Sequence, residues 1–394
     1  MKFETAAQTA ARLNVTVRAV QKWAKEGRLK GAQKVGRDWM IPFGTTINKK
    51  DSNSVQNQKT QLDYVPYPLF QIPYTSGDAL EYIKNIVDED KRNLNLLQMY
   101  YFMGELDKTI ELAEPYLNSS NINYRISCAM FYAFANLCGD HIHKTRFAAE
   151  IIYNEIEKLD LNNPKLAEQN ALIIFAAVVV KTQLHIPFNN VPLIEGHIKY
   201  MPEGLKMMAC YLSAYKAYLI GDYERSIGIA QTAINCAINH YPLCLMYCYI
   251  MCAIDYINLL KSDMANGYIQ KAWEIAHKHG VFMPFVEHYS ILQGLLEKNF
   301  KKSHQKDYEY IISLARKYNT GWYTVYNHRN KGKVSLELTP TEFTIAMLYS
   351  RNWRAKEIAT QLHISERTVS NYIQVIYEKL NVNSRKALEN YVLE

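Results

Sequence analysis

Arg367, Ser370, Asn371 and Gln374 recur at i, i+3, i+4 and i+7 near the C-terminus, which places them on one face of a helix. Two of them are amides, and each amide presents a donor and an acceptor side by side. That pair matches the N6 and N7 edge of adenine, and one such bidentate contact gives roughly 1–3 kcal/mol of discrimination between bases. A helix face that is only solvated more often carries Glu and Lys. The chemistry these residue types suit is hydrogen-bonded reading of a duplex.

Such a face works only on a rigid helix, and the surrounding residues supply one. Val369, Ile373, Ile376 and Leu380 recur at i, i+4, i+7 and i+11, the stripe that must face a core. Ser365 is placed to cap the helix, and His363-Ile364-Ser365 forms a three-residue turn after a helix that begins near Arg354 and buries Ile358, Ala359 and Leu362. Further upstream, Thr339 as N-cap, Pro340 at the first helical position and Glu342 three residues past the cap spell a capping box. Ile345, Leu348 and Tyr349 then mark a short helix. Helix, tight turn and helix make the supersecondary unit that enters the major groove.

These residues resemble the LuxR-type C-terminal DNA-binding domain, whose pattern runs LTPxE…KEIAxxLxISxxTVxxHxxxIxxKL…SR. Here it stands as Leu338-Thr339-Pro340-Thr341-Glu342, Lys356-Glu357-Ile358-Ala359, Leu362, Ile364-Ser365, Thr368-Val369, Ile376, Lys379-Leu380 and Ser384-Arg385. The resemblance implies that Thr368 and Lys356 lie near phosphate, that Ser370, Asn371 and Gln374 face bases, and that the last helix, Ser384 to Val392, makes a homodimer. Three residues depart from the pattern: Ser370 replaces a usual Lys, Tyr372 a frequent His, and Asn352 a usual Gly.

The first fifty residues hold a second candidate. Thr5 to Leu13 and Val17 to Glu26 read as two helices around the turn Asn14-Val15-Thr16, and Arg28 to Pro42 alternates like a hairpin. The spacing of Ala10-Ala11, Leu13, Val15, Val20, Trp23, Gly27, Leu29, Gly36, Trp39 and Ile41-Pro42 resembles the excisionase and MerR-like winged helices. By that likeness Arg18, Gln21 and Lys22 face a groove, and Lys34 and Arg37 in the wing meet phosphate. Charge agrees. Residues 1–50 hold eleven Lys/Arg against three Asp/Glu and residues 328–394 hold ten against seven, so the basic excess sits at the two ends and points to a polyanion.

Between the ends the sequence is helical in pattern from Asp78 to about Asn327. The phrase YYFMGELDKTIELA, Tyr100 to Ala113, returns as AYLIGDYERSIGIA, Ala217 to Ala230, and more loosely as Leu259 to Ala276. Small residues at such joints let paired helices approach, as in tetratricopeptide-like repeats. The stretch HKHGVFMPFVEHYSILQGLLEK that follows resembles the helical part of MalT-type large LuxR regulators. Those usually carry an ATPase, but no GxxxxGK[ST] loop is present here, because Gly332-Lys333 is followed by Val and lacks the upstream glycine. Nor is a receiver domain apparent. Gly44 to Gln61 reads as a polar linker, and Leu62 to Gly77 as an extended Pro/aromatic strip able to lie along the helices.

Several functions are disfavoured. The run Pro242 to Leu260 approaches a membrane span in length, but Asp255 and Asn258 interrupt it and the expectation is a buried helix. The N-terminus shows no secretory signal. Seven cysteines follow no zinc spacing, and Cys244, Cys248 and Cys252 at i, i+4 and i+8 suit a close helix contact, with reduced thiols pointing to the cytoplasm. His141, His143, His185, His277 and His279 accompany no nucleophile or paired-carboxylate motif, so no catalysis, cofactor or metal is expected. Thirty tyrosines on a helical surface suit an amphipathic pocket.

The expected fold is mainly α, with a winged helix-turn-helix over 1–44, a linker and Pro/aromatic segment over 45–77, a tetratricopeptide-like α-solenoid over 78–327 and a four-helix LuxR-type domain over 328–394. The expected function is a cytoplasmic transcription regulator that binds double-stranded DNA as a homodimer and senses a small molecule, peptide or protein through its middle. The alternative is a helical adaptor whose ends serve assembly only.

Overall fold

The computed structural model describes residues 3–13, 16–25, 29, 31–36, 38–43, 67–71, 79–139, 141–184, 186, 188, 190–237, 241–292, 294–330, 338–362 and 364–392. The chain forms two compact units, residues 1–64 and 65–394.

In the first unit α1 (Ala6–Leu13) and α2 (Val17–Lys25) pack on a sheet of β1 (Phe3–Thr5), β2 (Gln33–Val35) and β3 (Asp38–Pro42). The order is β1-β3-β2, all antiparallel, with Glu4 opposite Ile41 and Lys34 opposite Trp39. Ala6, Ala10, Val20, Ala24, Leu29 and Ile41 form the core, with Trp23 and Trp39 packed against it. The hairpin expected after α2 is present. The strand ahead of α1 was not expected: Thr5 belongs to it rather than to the helix. Glu4 explains its hold, because its buried carboxylate accepts from Thr9 Oγ1 at 3.1 Å and pairs with Arg12 Nε at 3.0 Å, tying β1 to α1.

The second unit begins with the segment Tyr67–Gln71, whose last four residues make a 3-10 turn. Thirteen helices follow: α3 (Ala79–Lys84), α4 (Glu89–Met103), α5 (Leu106–Ala113), α6 (Ile122–Cys138), α7 (Ile142–Ile156), α8 (Ala167–Gln183), α9 (Glu203–Leu219), α10 (Tyr223–Cys236), α11 (Pro242–Asn258), α12 (Ser262–His279), α13 (Met283–Glu287), α14 (Leu295–Phe300) and α15 (Gln305–Asn330). Neighbours pack in pairs, α4 on α5, α6 on α7, α9 on α10 and α11 on α12. The run flagged for its length is α11, and Cys244, Cys248 and Cys252 are fully buried along it. Among the described residues no helix is long and apolar enough to cross a membrane.

The joints of these pairs show why the recurring phrase recurs. Gly104 and Gly221 end α4 and α9 in the left-handed region, at φ 84° and 78°. Leu260 takes the same place between α11 and α12 at φ 60°, where a Cβ is strained. Leu260 is also 54% exposed, so little packing offsets the strain. Leu260→Gly should therefore raise stability by about 0.5–1 kcal/mol, the strain relieved less the added freedom of the unfolded chain. A denaturant midpoint that falls would contradict this. A fourth related joint lies between α6 and α7: Thr145 donates to Ala133 O at 3.1 Å just as Thr109 donates to Leu97 O at 3.3 Å, each bond reaching twelve residues back.

Tyr67–Gln71 lies inside this helical array, against α4, α9 and α11. Tyr67, Leu69 and Phe70 are buried, Leu69 N–H donates to Gln98 Oε1 at 3.4 Å, and Gln71 Oε1 accepts from Gly204 N–H at 3.2 Å. The polar linker and the remainder of the Pro/aromatic strip lie outside the described residues.

The C-terminal helices are α16 (Pro340–Ser350), α17 (Ala355–Leu362), α18 (Glu366–Leu380) and α19 (Arg385–Val392). They pack on the helical middle, α16 against the turn Tyr289–Ile291 and α17 against α14, while α15 runs past the expected boundary at 327/328. Arg351, just after α16, reaches into the middle. Its Nη1 donates to Asn258 Oδ1 at 2.7 Å and its guanidinium lies 4.7 Å over the Tyr218 ring. Nearby Asp255 is fully buried, and burial pushes its carboxyl up to about 8, with Ser226 and Arg351 pulling the other way.

Candidate nucleic-acid interface

The reading helix α18 is built as its residues require. Ser365 sits in extended backbone and its Oγ accepts from Thr368 N–H at 3.0 Å, the expected cap. Val369, Ile376 and Leu380 are buried and Ile373 is partly so, which turns Arg367, Ser370, Asn371 and Gln374 outward. All four are exposed, Thr368 is half-buried at the first turn, and Lys356 is exposed on α17. Ser370 Oγ donates back to Glu366 O at 3.1 Å. Arg354, exposed just before α17, adds a cation beside Lys356 that the sequence reading did not single out.

Two clamps hold the C-terminal helices together, the first on α18 and the second on α19. The capping box on α16 is complete, with Thr339 Oγ1 accepting from Glu342 N–H and Glu342 Oε2 accepting from Thr339 N–H at 2.6 Å. The same carboxylate takes Lys379 Nζ from α18 at 2.8 Å. Burial works to raise the Glu342 pKa, but Lys379 and Thr339 outweigh it and hold the carboxyl below the usual range. The second clamp is Arg385 at the start of α19, which donates to Asn352 Oδ1 and Trp353 O at 3.2 Å and stacks 3.9 Å over Tyr349. Asn352 adopts φ 65°, so the departure from the family's glycine keeps a residue that tolerates left-handed backbone and adds a ligand for Arg385. The Lys379 and Arg385 partners are long-range and were not visible in the motif.

In the first unit Arg18, Gln21 and Lys22 are exposed together on α2, and Lys34 is exposed on β2. Arg37 lies outside the described residues. Gly31 and Gly36 have φ of 80° and 62°, the values a tight wing demands.

Elsewhere among the described residues, one group has metal-ligand chemistry: His277, His304 and Asp307 each bring a ligand atom within 4.8 Å of the others. The bond of 2.9 Å between His277 Nδ1 and Asp307 Oδ2 accounts for their approach without an ion. His288, by contrast, is buried and held neutral; burial lowers its pKa to about 4 while the Pro284 carbonyl pulls it up.

No solved structure matches the chain. Residues 5–44 match the family described as helix-turn-helix domain. The chain is 34% identical over 67 residues to "Response regulator Rre1" of Synechocystis sp. (strain ATCC 27184 / PCC 6803 / Kazusa), covering 17% of this chain and 29% of that protein, so it spans under a third of that relative. Residues 336–392 match the family described as bacterial regulatory proteins, luxR family, which makes the C-terminal helices a LuxR-type helix-turn-helix of the kind found in DNA-binding transcription regulators.

Proposed function

We propose that the chain is a sequence-specific transcription regulator that reads duplex DNA with α18 and responds to a signal bound by its helical middle. The observation that carries this is the outward face of α18, where Arg367, Ser370, Asn371 and Gln374 stand exposed on a capped and clamped helix. Lys356, Arg354 and Thr368 hold phosphate, and Arg18, Gln21, Lys22 and Lys34 make a second basic surface on the winged helix, with Arg37 assigned to phosphate by the resemblance alone. The helix pairs of the middle act as tetratricopeptide-like repeats, and α19 pairs two copies of the chain on a two-fold site.

Binding to duplex DNA measured across a salt series should fall steeply as salt rises, because each phosphate contact releases a counterion. A flat response would defeat the proposal. Within the bound complex, Asn371→Ala should relax base preference at one position at a cost of about 1–3 kcal/mol, whereas Lys34→Ala should weaken all duplexes alike and shrink the salt slope by about one. Equal loss on every sequence for Asn371→Ala would remove its base-reading role.

A further inference from the structure

One cluster outside the DNA-reading surfaces joins residue types that bind transition metals. His277 lies in the last turn of α12, His304 directly precedes α15, and Asp307 stands in the first turn of α15. Each brings one ligand atom, two imidazole nitrogens and a carboxylate oxygen, and all lie within 4.8 Å of one another. The hydrogen bond between His277 Nδ1 and Asp307 Oδ2 explains the approach of those two, but it does not explain His304. Among the described residues no hydrogen bond engages the His304 ring, and none engages Nε2 of His277.

Packing aims both rings. Trp273, 3% exposed, stacks on Phe300 with centroids 4.0 Å apart, and both imidazoles rest against it, His277 nearly parallel at 6.3 Å and His304 tilted at 5.2 Å. The two imidazoles meet edge to face at 4.8 Å. Both are therefore held beside Asp307 before any ion arrives, which lowers the ordering cost of binding.

The spacing suits a small first-row ion. Bonds of about 2.0–2.1 Å set donor atoms about 3.3 Å apart in a tetrahedron. His277 Nδ1 and Asp307 Oδ2 are already 2.9 Å apart, so an ion can take the place of the hydrogen between them, the neutral ring then carrying its hydrogen on Nε2. The widest pair must close by about 1.5 Å, which a turn of the partly exposed His304 ring supplies. His277 is 54% exposed, so water reaches the fourth position. Lys278, Lys301, Lys302 and Lys306 flank the cluster, but all are exposed and their repulsion is screened by water and salt. Two imidazoles and one carboxylate favour zinc over calcium or magnesium, which take oxygen ligands.

From this arrangement we propose that His277, His304 and Asp307 form a zinc-binding site that ties the end of α12 to the start of α15. The site stands apart from the DNA-reading face, and neither requires the other. Its position in the fold still gives it a lever, because α14 lies in the loop of chain that the ion closes, and α17 packs on α14.

The test uses the full chain, freed of metal with a chelator, and isothermal titration with zinc chloride. One ion per chain should bind saturably at this site and raise the melting temperature, since the ion favours the folded state. Magnesium chloride should do neither. His304→Ala and Asp307→Asn should each weaken zinc binding by about tenfold or more, since the loss of even an outer partner of a metal ligand costs that much. His143→Ala, in the histidine pair on α7, and Cys236→Ser, which removes an exposed thiol, should leave it unchanged. Absence of zinc binding by the unaltered protein would overturn the proposal, and that result depends on no variant folding. Binding that survives both His304→Ala and Asp307→Asn would also overturn it, because the ion would then sit elsewhere.

Discussion

Replacing Arg351 by alanine should split a single melting transition into two, with the C-terminal helices unfolding first. The guanidinium is a half-buried charge placed between elements far apart in sequence: it bonds Asn258 at 2.7 Å and caps Tyr218 at 4.7 Å. Truncating one member of such a buried polar set typically costs about 3–5 kcal/mol, because groups arranged around the charge lose it without regaining water. Asp255 adds to the effect, since Arg351 is the cation that restrains the upward drift of its carboxyl. Arg351→Lys should recover little, as an ammonium neither lies flat on Tyr218 nor forks toward Asn258. Calorimetry that gives one transition within about 1 kcal/mol of the original would refute the role assigned to this arginine.

The second large effect is expected at Gly204, on the first turn of α9. A Cβ there would stand 1.7 Å from the carbonyl oxygen of Phe70 and 3.1 Å from Gln71 Nε2. The first neighbour is backbone, and it is further fixed by Cys244 Sγ, which lies 3.6 Å from Phe70 O and 3.3 Å from Gly204 O. Alanine must therefore either shift α9 or drive the segment Tyr67–Gln71 out of the array. We expect a loss of about 3 kcal/mol or more in denaturant unfolding. Phe70→Ala alone should cost a similar amount, about 3–5 kcal/mol, as a buried ring is deleted. If the segment is expelled, the two changes share one loss and the double variant costs little more than either single one. Simple additivity would mean that the segment stays and the helix moves.

What was legible in the sequence was what is encoded locally. The caps at Thr339 and Ser365, the stripe of Val369, Ile376 and Leu380, and the outward quartet on α18 all depend on residues within one or two turns of each other. The glycine joints at 104 and 221 were visible for the same reason. The joint at Leu260 was seen only loosely because it lacks the glycine, and the one before Thr145 was missed because Gly139 stands six residues ahead of its threonine where Gly104 stands five ahead of Thr109. β1 was missed since three residues carry too little alternation to outweigh the alanine-rich helix beside them. Arg351 reads in sequence as a solvated turn residue, and only a partner 93 positions away makes it a half-buried one. His277 is hidden in the same way, since its partner Asp307 lies 30 residues from it. The segment Tyr67–Gln71 has composition but no period, so its burial follows from the cavity it fills rather than from its own pattern.

Ser370 carries a consequence for the choice of base. Its hydroxyl hydrogen is engaged by the Glu366 carbonyl at 3.1 Å, so outward it offers lone pairs and no proton. The lysine usual at this position is the reverse, a donor suited to the acceptor edge of guanine. An acceptor in its place selects for exocyclic amino groups, N4 of cytosine or N6 of adenine, and disfavours N7 and O6 of guanine. If α18 reads bases as proposed, Ser370 beside Asn371 and Gln374 should favour sites with adenine or cytosine over guanine at its position, which selection of bound DNA from a random pool would show.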